Sequence, residues 1–318
     1  MRPARLSPRQ GSQRGMAVVS ALLIVAAVAV LVTGLFQRQA TAVRAVENEQ
    51  ARIQARWLLQ GGLDWARLVL REDARTNSTT RLSGLWATPV ADTRITRAGD
   101  DRTALFSGRI EDEQGKYNLR NLAKAGIPLP LEVAVLDRLC AMLGLPGGIA
   151  PRIALRVASA QAVTEAAGDG SQNTAVTRAA TAPMIRSVDD LEGMTDIDDK
   201  TVETLRPYVT VLPEVSAVNA NTAPAEVLAA VVAGLSLAQA RAITTQRDAG
   251  TYFNDRADFA NRLANPDITI TDAQIVTVSK WFMVSGTVTL ERAVVTMRSL
   301  VSRANANSPA VVWKREIN

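Results

Sequence analysis

The sequence predicts an α+β fold in which a long N-terminal helix packs on an antiparallel β-sheet and a large helical block is inserted in the sheet. An uncharged apolar run at residues 16–36 continues as a helical pattern toward residue 75. Strand-like alternation occurs before residue 127 and again after residue 266. Between these segments apolar residues recur at helical spacing, which makes the middle of the chain an insertion.

The N-terminal helix begins with a segment long enough to cross a membrane. Residues 16–36 contain no charged side chain. At about 1.5 Å of rise per residue they span a bilayer core of about 30 Å. Residues 1–15 carry four arginines and no acid, which predicts a cytoplasmic N-terminus by the positive-inside rule. The rest of the chain is then expected across the membrane.

The second half of this helix is predicted to be amphipathic. Side chains that step by three and four residues lie on one face of a helix. Here that face carries Val43, Val46, Gln50, Ile53 and Trp57. We expect its four hydrophobic members, which we call the seam, to pack against partner helices.

A secretory signal peptide is the alternative interpretation of the N-terminus. Ala40-Thr41-Ala42 has the small residues of a cleavage site, so cleavage would follow Ala42. However, the uncharged run is longer than the roughly 7–15 residues of a signal core, and the helical pattern continues past it. These features favour a retained helix that ends at Gly61-Gly62 or continues to Arg75.

The composition argues against an enzyme. The chain has no histidine, which removes the commonest general base and metal ligand. Its single cysteine, Cys140, lies in an apolar helical pattern typical of a core. We find no cluster of nucleophile and base and no glycine-rich phosphate loop. Beyond residue 15, 32 basic residues stand against 31 acidic ones, so the charge indicates no nucleic-acid-binding face.

The segments on either side of the helical block predict the sheet. Residues 104–122 alternate weakly and contain the turn signal Gln114-Gly115, so we expect a hairpin there. Residues 280–290, 292–304 and 310–317 alternate as three further strands. The sheet is therefore expected to start before the helical block and to finish after it.

The helical block contains two similar units, at residues 187–213 and 219–247, each with a short helix, a turn and a second helix. This pattern indicates a SAM-like or helix-hairpin-helix-like domain. Such hairpins can bind DNA through backbone N–H groups at a helix N-terminus. A membrane-anchored, extracytoplasmic DNA-binding protein is therefore the alternative function. The first unit is strongly acidic, which disfavours phosphate binding and favours a structural role.

The N-terminus resembles the class III signal of type IV pilins and pseudopilins, in which a basic leader ends in glycine before an apolar helix. The resemblance implies that a prepilin peptidase cuts between Gly15 and Met16 and methylates the new N-terminus. Pilin-like subunits usually carry glutamate at the fifth mature position, where this chain has Ser20. In having a non-acidic residue at this position, the chain resembles the GspK minor pseudopilins of type II secretion systems.

A second segment strengthens the resemblance to the GspK family. GspK proteins share a pattern of two acids followed by x-Gly-x-Phe/Tyr-Asn-Leu-x-x-Leu. Residues 111–122 resemble it, with matching places at Gly115, Tyr117, Asn118, Leu119, Asn121 and Leu122. We expect Asn118 and Asn121 to satisfy backbone groups where a strand passes into a helix.

The resemblance implies a pilin-like fold in four parts. Residues 1–15 would be the cleaved leader, and residues 16–75 the hydrophobic and then amphipathic helix. Residues 76–127 and 266–318 would form the β-sheet domain. Residues 128–265 would form the inserted helical domain.

The resemblance also implies a role at the pseudopilus tip, initiating or capping filament assembly for protein secretion across the outer membrane. The implied partners are minor pseudopilins of the GspI, GspJ and GspH types, the major pseudopilin, prepilin peptidase, and the secretin or secreted cargo, without nucleic acid. The implied location is the bacterial inner membrane. A single-pass helix would have its N-terminus in the cytoplasm and the globular part in the periplasm.

No cofactor is expected, although the resemblance raises calcium. Some GspK relatives bind calcium in the helical domain, usually with a Trp-x-Asp-x-Asp stretch, but the corresponding residues 153–160 contain no acid. The stretch Asp196-Ile197-Asp198-Asp199 lacks the spacing and glycine of an EF-hand loop. We therefore expect a solvated acidic face and assign no metal ligand.

Overall fold

The computed structural model of the protein describes residues 13–96, 103–166, 175–195, 197–263, 265 and 268–317. A 64-residue N-terminal helix lies on a five-stranded antiparallel sheet. The helical block connects two adjacent strands of that sheet. The predicted α+β fold, with a long helix on a sheet and an inserted helical block, is confirmed.

The helices and strands are numbered in chain order. The described helices are α1 (Gln13–Thr76), α2 (Pro130–Met142), α3 (Ile149–Ser159), α4 (Asp199–Leu205), α5 (Ala225–Val231), α6 (Leu237–Asp248) and α7 (Arg256–Arg262). The large sheet contains β1 (Val90–Thr96), β2 (Thr103–Asp112), β11 (Trp281–Leu290), β12 (Ala293–Ser302) and β13 (Ala310–Ile317). The short strands are β3 (Tyr117–Asn118), β4 (Ala123–Lys124), β5 (Ile127–Pro128), β6 (Val163–Ala166), β7 (Ala175–Arg178), β8 (Val209–Thr210), β9 (Val218–Asn219) and β10 (Ile275–Val276).

The large sheet joins strands from both sides of the helical block. Its order is β1-β2-β11-β12-β13, and every neighbouring pair is antiparallel. At the end of the sheet next to the block, Asp112 of β2 stands opposite Phe282 of β11. The chain therefore leaves the sheet for the helical block and returns to it at the same end.

The hairpin expected within residues 104–122 is wrong. After β2 the chain makes a 3-10 turn at Glu113–Gly115, and β3 then runs parallel to β8 in the helical block. The partners of β2 are β1 and the distant β11. Alternation of apolar and polar residues indicates that a segment is extended, but it does not indicate which remote strand pairs with it.

Helix α1 runs without a break past Gly61-Gly62 to Thr76. The helix touches the sheet closely at Gly62, where a Cβ atom would lie 2.6 Å from Cζ of Phe106. One face of α1 is buried on the sheet at Ala51, Ala55, Leu59, Leu63, Ala66, Val69 and Leu70. Burying each leucine contributes about 1.5–3 kcal/mol, so this face holds the second half of the helix in place.

The helical block has its own apolar core, which includes Leu119, Leu136, Leu139, Ile153, Val202 and Leu228. Cys140 is buried in it, as its apolar setting predicts. The second unit forms the hairpin of α5 and α6, whereas the first reduces to a 3-10 turn at Val188–Leu191 and α4. In the second unit, Thr222 followed by Pro224 predicts a helix capped by the threonine. This prediction is wrong, because Pro224 occupies the N-cap position of α5.

Candidate functional site: the assembly helix and its junction

The apolar half of α1 is a surface that needs a non-aqueous partner. Its most apolar window has a mean hydropathy of 2.8 and is not buried against any described part of the chain. Val18, Leu22, Val25 and Leu35 are each more than half exposed. Exposure of so much contiguous apolar surface is unfavourable in water, and the length and composition of the segment suit a bilayer. The segment is therefore a candidate membrane anchor.

The residues at the expected cleavage site lie in the first turns of this helix. Gly15 and Met16 are within α1, and Ser20 is exposed one turn later. The Ser20 hydroxyl donates to the Met16 carbonyl at 2.7 Å. Serine in a helix often makes this bond to its own backbone. Position 20 therefore presents an uncharged group to a neighbouring molecule, and cleavage after Gly15 stays a prediction.

The seam predicted on the second half of α1 is open to solvent. Val43, Val46, Ile53 and Trp57 are 56, 58, 44 and 72 % exposed. At 100° per residue, the centre of this face is about 180° around the helix from the face buried on the sheet. Leu68, which the sequence analysis missed, lies on the same face and is 51 % exposed. The sheet lies on the opposite side and does not cover the seam, so the seam is available to another molecule.

A buried ion pair fastens the end of α1 to the sheet. Arg303, just after β12, donates to Oδ2 of Asp73 at 2.7 Å. Its guanidinium group also donates to Oγ1 of Thr80 at 2.6 Å and to the carbonyl of Ser279 at 3.0 Å, and it lies 4.5 Å from the ring centre of Phe282. Loss of one partner from such a pair typically costs about 3–5 kcal/mol. The pair therefore holds the end of α1 on the sheet, together with the buried face from Ala51 to Leu70.

Asp112 connects the sheet to the helical block. Its Oδ2 accepts hydrogen bonds from Oγ of Ser279 at 2.6 Å, Oγ1 of Thr222 at 2.6 Å and Nδ2 of Asn219 at 3.1 Å. Its Oδ1 accepts from the backbone N–H of Gln114 at 2.9 Å. Burial raises the pKa of Asp112, and these hydrogen bonds act in the opposite direction. One carboxyl group thus joins the segments that leave and re-enter the sheet.

The segment at residues 111–122 lies at this junction. Gly115 has no space for a side chain, since a Cβ atom would lie 3.0 Å from Oγ1 and 3.1 Å from the carbonyl oxygen of Thr222. Tyr117 is buried, and its hydroxyl donates to Oε2 of Glu132 at 2.8 Å. Leu119 is fully buried in the core of the helical block. These side chains seat the block against the end of β2.

Asn118 and Asn121 bind backbone groups on two segments. Oδ1 of Asn118 accepts from the backbone N–H of Arg120 at 3.0 Å, in the 3-10 turn that follows β3, and from that of Leu212 at 3.2 Å. Asn121 exchanges two hydrogen bonds with the backbone of Ser216, at 2.9 and 3.1 Å. The bond to the turn was expected. The bonds to the loop after β8 were not, because that loop is remote in sequence.

The three arginines of the paired units are engaged within the fold. Arg241 pairs with Glu226 at 3.0 Å, and Arg206 pairs with Asp189. Arg247 is buried and donates to two backbone carbonyls in the connection to α5. A phosphate backbone is bound chiefly by accessible cations. These contacts do not favour the DNA-binding alternative.

The structure offers no assembled metal site in the part of the chain that it describes: no three His, Cys, Asp or Glu side chains are grouped to hold an ion. Residues 153–160, where relatives would place acidic ligands, fall on α3 and the residue after it, and Ile153 and Ala154 are buried there. Such side chains provide no oxygen ligand. Asp196 lies outside the described residues, and Asp198 accepts from the backbone N–H of Thr201 as the cap of α4.

Sequence comparison identifies a family that spans the junction and the helical block. Two sequence models of type II secretion system protein K match the chain, at residues 115–214 and at residues 218–279. Together they cover slightly more than half of the chain. The first match begins at Gly115, which packs against Thr222. The second match ends at Ser279, which donates to Asp112.

Individual relatives agree with the family match. The chain is 31 % identical over 230 residues to the type II secretion system protein K of Pseudomonas aeruginosa, covering 69 % of this chain and 68 % of that protein. Its fold is similar to that of a chain in the crystal structure of the GspK-GspI-GspJ complex from enterotoxigenic Escherichia coli, with a TM-score of 0.62, 19 % identity, and coverage of 86 % of this chain and 99 % of the other. The chain therefore belongs to the type II secretion system protein K family, the GspK minor pseudopilins.

Proposed function

We propose that this minor pseudopilin is the tip subunit of the pseudopilus, where it initiates or caps filament assembly. The observation that carries the proposal is the uncharged Ser20, whose hydroxyl is bound to the carbonyl of Met16. A carboxylate inside an apolar environment costs about 2.5–3.5 kcal/mol on insertion scales unless it has a partner. Repeating pilin-like subunits usually carry a glutamate at this position, which can form an ion pair with the N-terminal amine of a neighbouring subunit. A subunit with Ser20 cannot form this pair, and a subunit at the tip does not need it.

The position of the helical block supports a place at the end of the filament. The block leaves and re-enters the sheet beside Asp112, and the Arg303–Asp73 pair lies at the end of α1 farthest from its apolar half. The block therefore lies at the end of the molecule opposite the membrane segment. A further subunit stacked there would meet the block before it reached α1.

The exposed seam on α1 supports assembly with other minor pseudopilins. Its apolar side chains face away from the sheet and need a partner surface. Helix-to-helix packing of the coiled-coil type would bury them. The structural neighbour was crystallised as a GspK-GspI-GspJ complex. We propose subunits of the GspI and GspJ types as the partners of the seam.

The leader and the orientation belong to the same proposal. Cleavage between Gly15 and Met16 would leave the apolar half of α1 at the new N-terminus. The arginines before residue 16 support a cytoplasmic leader, so that the globular part would lie in the periplasm. N-terminal sequencing of the mature protein tests this proposal. Methylated Met16 is the expected result, whereas an intact Met1, or Val43 at the terminus, would contradict it.

The proposed role is structural and requires no catalysis. The single cysteine is buried, and burial raises the pKa of the Cys140 thiol to about 11. A thiol with so high a pKa is protonated at neutral pH and is a poor nucleophile. The buried carboxyl of Asp112 is engaged by four hydrogen-bond donors at the junction. Both groups therefore contribute to packing.

Substitution Ser20→Glu tests the role of the missing carboxylate. It restores the side chain that a repeating subunit would use, so we expect altered incorporation into pseudopili and altered secretion, because the variant can now pair with a neighbouring amine. Ser20→Ala removes only the bond to the Met16 carbonyl and is the matched control. Pseudopilus composition and secretion are measured in cells that express each variant, after membrane insertion is verified. Unchanged assembly and secretion with Ser20→Glu would show that the missing carboxylate does not set the tip position.

A further inference from the structure

The face of the sheet that points away from α1 carries a row of arginines, and the proposed function does not explain their positive charges. Alternate residues of β11 point to opposite faces, with Phe282 under α1 and Ser285 on the outer face. Ser285 stands opposite Arg109 of β2 and Arg298 of β12, and Arg298 stands opposite Arg315 of β13. These three arginines form one cross-strand row, which we call the arginine row.

Two members of the arginine row have no acidic partner among the described residues. Arg109 pairs with Glu111 at 3.4 Å. Arg298 is half-buried, and Arg315 lies 6.0 Å from the ring centre of Trp313. Neither forms an ion pair with any described residue. Like charges directly opposite each other destabilise a sheet, so the row is unfavourable in the isolated protein.

The arginine row lies in a groove between the sheet and the helical block. Two cavities of about 340 and 680 Å³ share Lys116, Arg206 and Arg298 as lining residues. Lys116 and Arg206 already have acidic partners, at Glu113 and Asp189. The other acidic residues that line the cavities are also paired, Glu111 with Arg109 and Glu316 with Arg56. Among the described residues, Arg298 and Arg315 therefore form a positive floor of the groove without a paired carboxylate.

Two other features of the groove suit a polypeptide. Its far end is apolar, with Met283 and Trp313 beside the arginine row. The Ser285 hydroxyl, in the middle of the row, is buried without a hydrogen-bond partner among the described residues. Unpaired buried polar atoms are uncommon in folded proteins. A hydroxyl without a described partner thus lies between Arg109 and Arg298 of the arginine row.

We propose that this groove binds an extended acidic segment of a partner protein. Neighbouring strands lie about 4.8 Å apart, so the row spans about 14 Å from β2 to β13, the length of four or five extended residues. Carboxylates would form charge-assisted, bidentate hydrogen bonds with Arg298 and Arg315. An apolar side chain beside them would contact Trp313. A free inorganic ion would fill only a small part of such a groove. The proposal does not depend on a tip position.

Peptide binding to the full-length protein in detergent tests this inference. The probe is the fluorescein-labelled peptide Gly-Asp-Leu-Asp-Val-Glu-Gly, compared with Gly-Asn-Leu-Asn-Val-Gln-Gly of the same shape. We expect the acidic peptide to bind at least about tenfold more tightly than the neutral one, with affinity that falls as salt increases. Equal binding of the two peptides would overturn the proposal. So would inorganic phosphate alone binding as tightly as the acidic peptide, because the site would then take a free oxyanion.

Charge reversal locates the binding. Arg298→Glu and Arg315→Glu are each expected to weaken acidic-peptide binding by about tenfold or more, since each replaces an attraction with a repulsion. The matched control is Arg94→Glu. Arg94 is an exposed residue of β1 that stands opposite Leu105 of β2, and it lines neither cavity. We expect it to change binding by less than about twofold. Thermal melting verifies folding, and the exposed Arg315 gives the test if the Arg298 variant unfolds. Equal effects of Arg94→Glu and Arg315→Glu would contradict the assignment.

Discussion

At the scale of single residues, buried ionisable groups join the three parts of the molecule. Arg303 ties the end of α1 to the sheet through Asp73, and Asp112 ties the sheet to the helical block through Asn219 and Thr222. A buried charge is unfavourable unless hydrogen bonds and opposite charges compensate it. These contacts therefore tolerate little displacement, and they define the relative positions of helix, sheet and block.

The pH dependence of stability tests the state of Asp112. Burial raises its pKa in the folded protein, so the folded state keeps the proton to a higher pH than the unfolded state does. Stability from this group is therefore full below the unfolded pKa of about 3.9 and is lost as the pH rises through the folded pKa. We expect the stability advantage of wild type over Asp112→Asn, measured by urea unfolding, to decrease as the pH rises from about 4.

Asp64→Asn is the control for this series, because it changes an exposed carboxylate on α1 that pairs with Arg67. Its effect on the free energy of unfolding is expected to stay below about 1 kcal/mol. An advantage of wild type over Asp112→Asn that grew with pH would contradict the raised pKa. It would mean that the hydrogen bonds from Ser279, Thr222 and Asn219 hold the carboxylate in its charged form.

These residues could not be predicted from the sequence. Asp112 lies in the family-like segment at residues 111–122, but Ser279, which donates to it, is 167 residues away. Arg303 and Asp73 are 230 residues apart. A charged residue in a polar-looking stretch gives no local indication that folding will bury it. By contrast, Tyr117, Asn118 and Leu119 could be singled out because they form a compact pattern.

At the scale of elements, α1 is a helix with two different apolar faces. One is covered by the sheet from Ala51 onward, and the other carries the seam from Val43 to Trp57. Because the faces are separate, the buried face attaches the helix to its own globular part while the seam stays exposed and available to the proposed partner helices. Leu68 extends that surface toward the end of the helix.

Site-specific cross-linking tests the seam. A benzophenone maleimide attached at Ile53→Cys should cross-link to another pseudopilin subunit, because the side chain lies in the proposed interface. The control is Arg52→Cys, a neighbouring exposed position about 140° from the centre of the seam. The native Cys140 is 3 % exposed and does not compete for the reagent. We expect several-fold more cross-linked product from position 53 than from position 52, measured by immunoblot. Equal yields would remove the seam as the interface.

Elements with a continuous local pattern could be predicted, and those defined by remote pairing could not. The long helix and the three strands after residue 280 follow from unbroken hydropathy patterns. The hairpin at residues 104–122 is wrong because β3 pairs with β8 in the helical block. In the same way, the prediction that Thr222 caps α5 is wrong, because its hydroxyl donates to the remote Asp112 and Pro224 occupies the N-cap position.

At the scale of the whole molecule, the parts lie in an order that suits the end of a filament. The apolar half of α1 is at one end, the sheet packs on its second half, and the helical block lies beyond the sheet. This order follows from the insertion between β2 and β11, which the sequence pattern predicts. The groove with the arginine row lies between sheet and block, so it exists only when both are assembled.

The central claim is that this subunit occupies the end of the pseudopilus. An epitope tag can be placed in the exposed turn at residues 305–307, between β12 and β13, which lies outside α1, the seam and the lining of the groove. Gold labelling of isolated pseudopili by electron microscopy then measures where the subunit lies. The account predicts label at one end of each filament and none along the shaft. Label distributed along the shaft would contradict it.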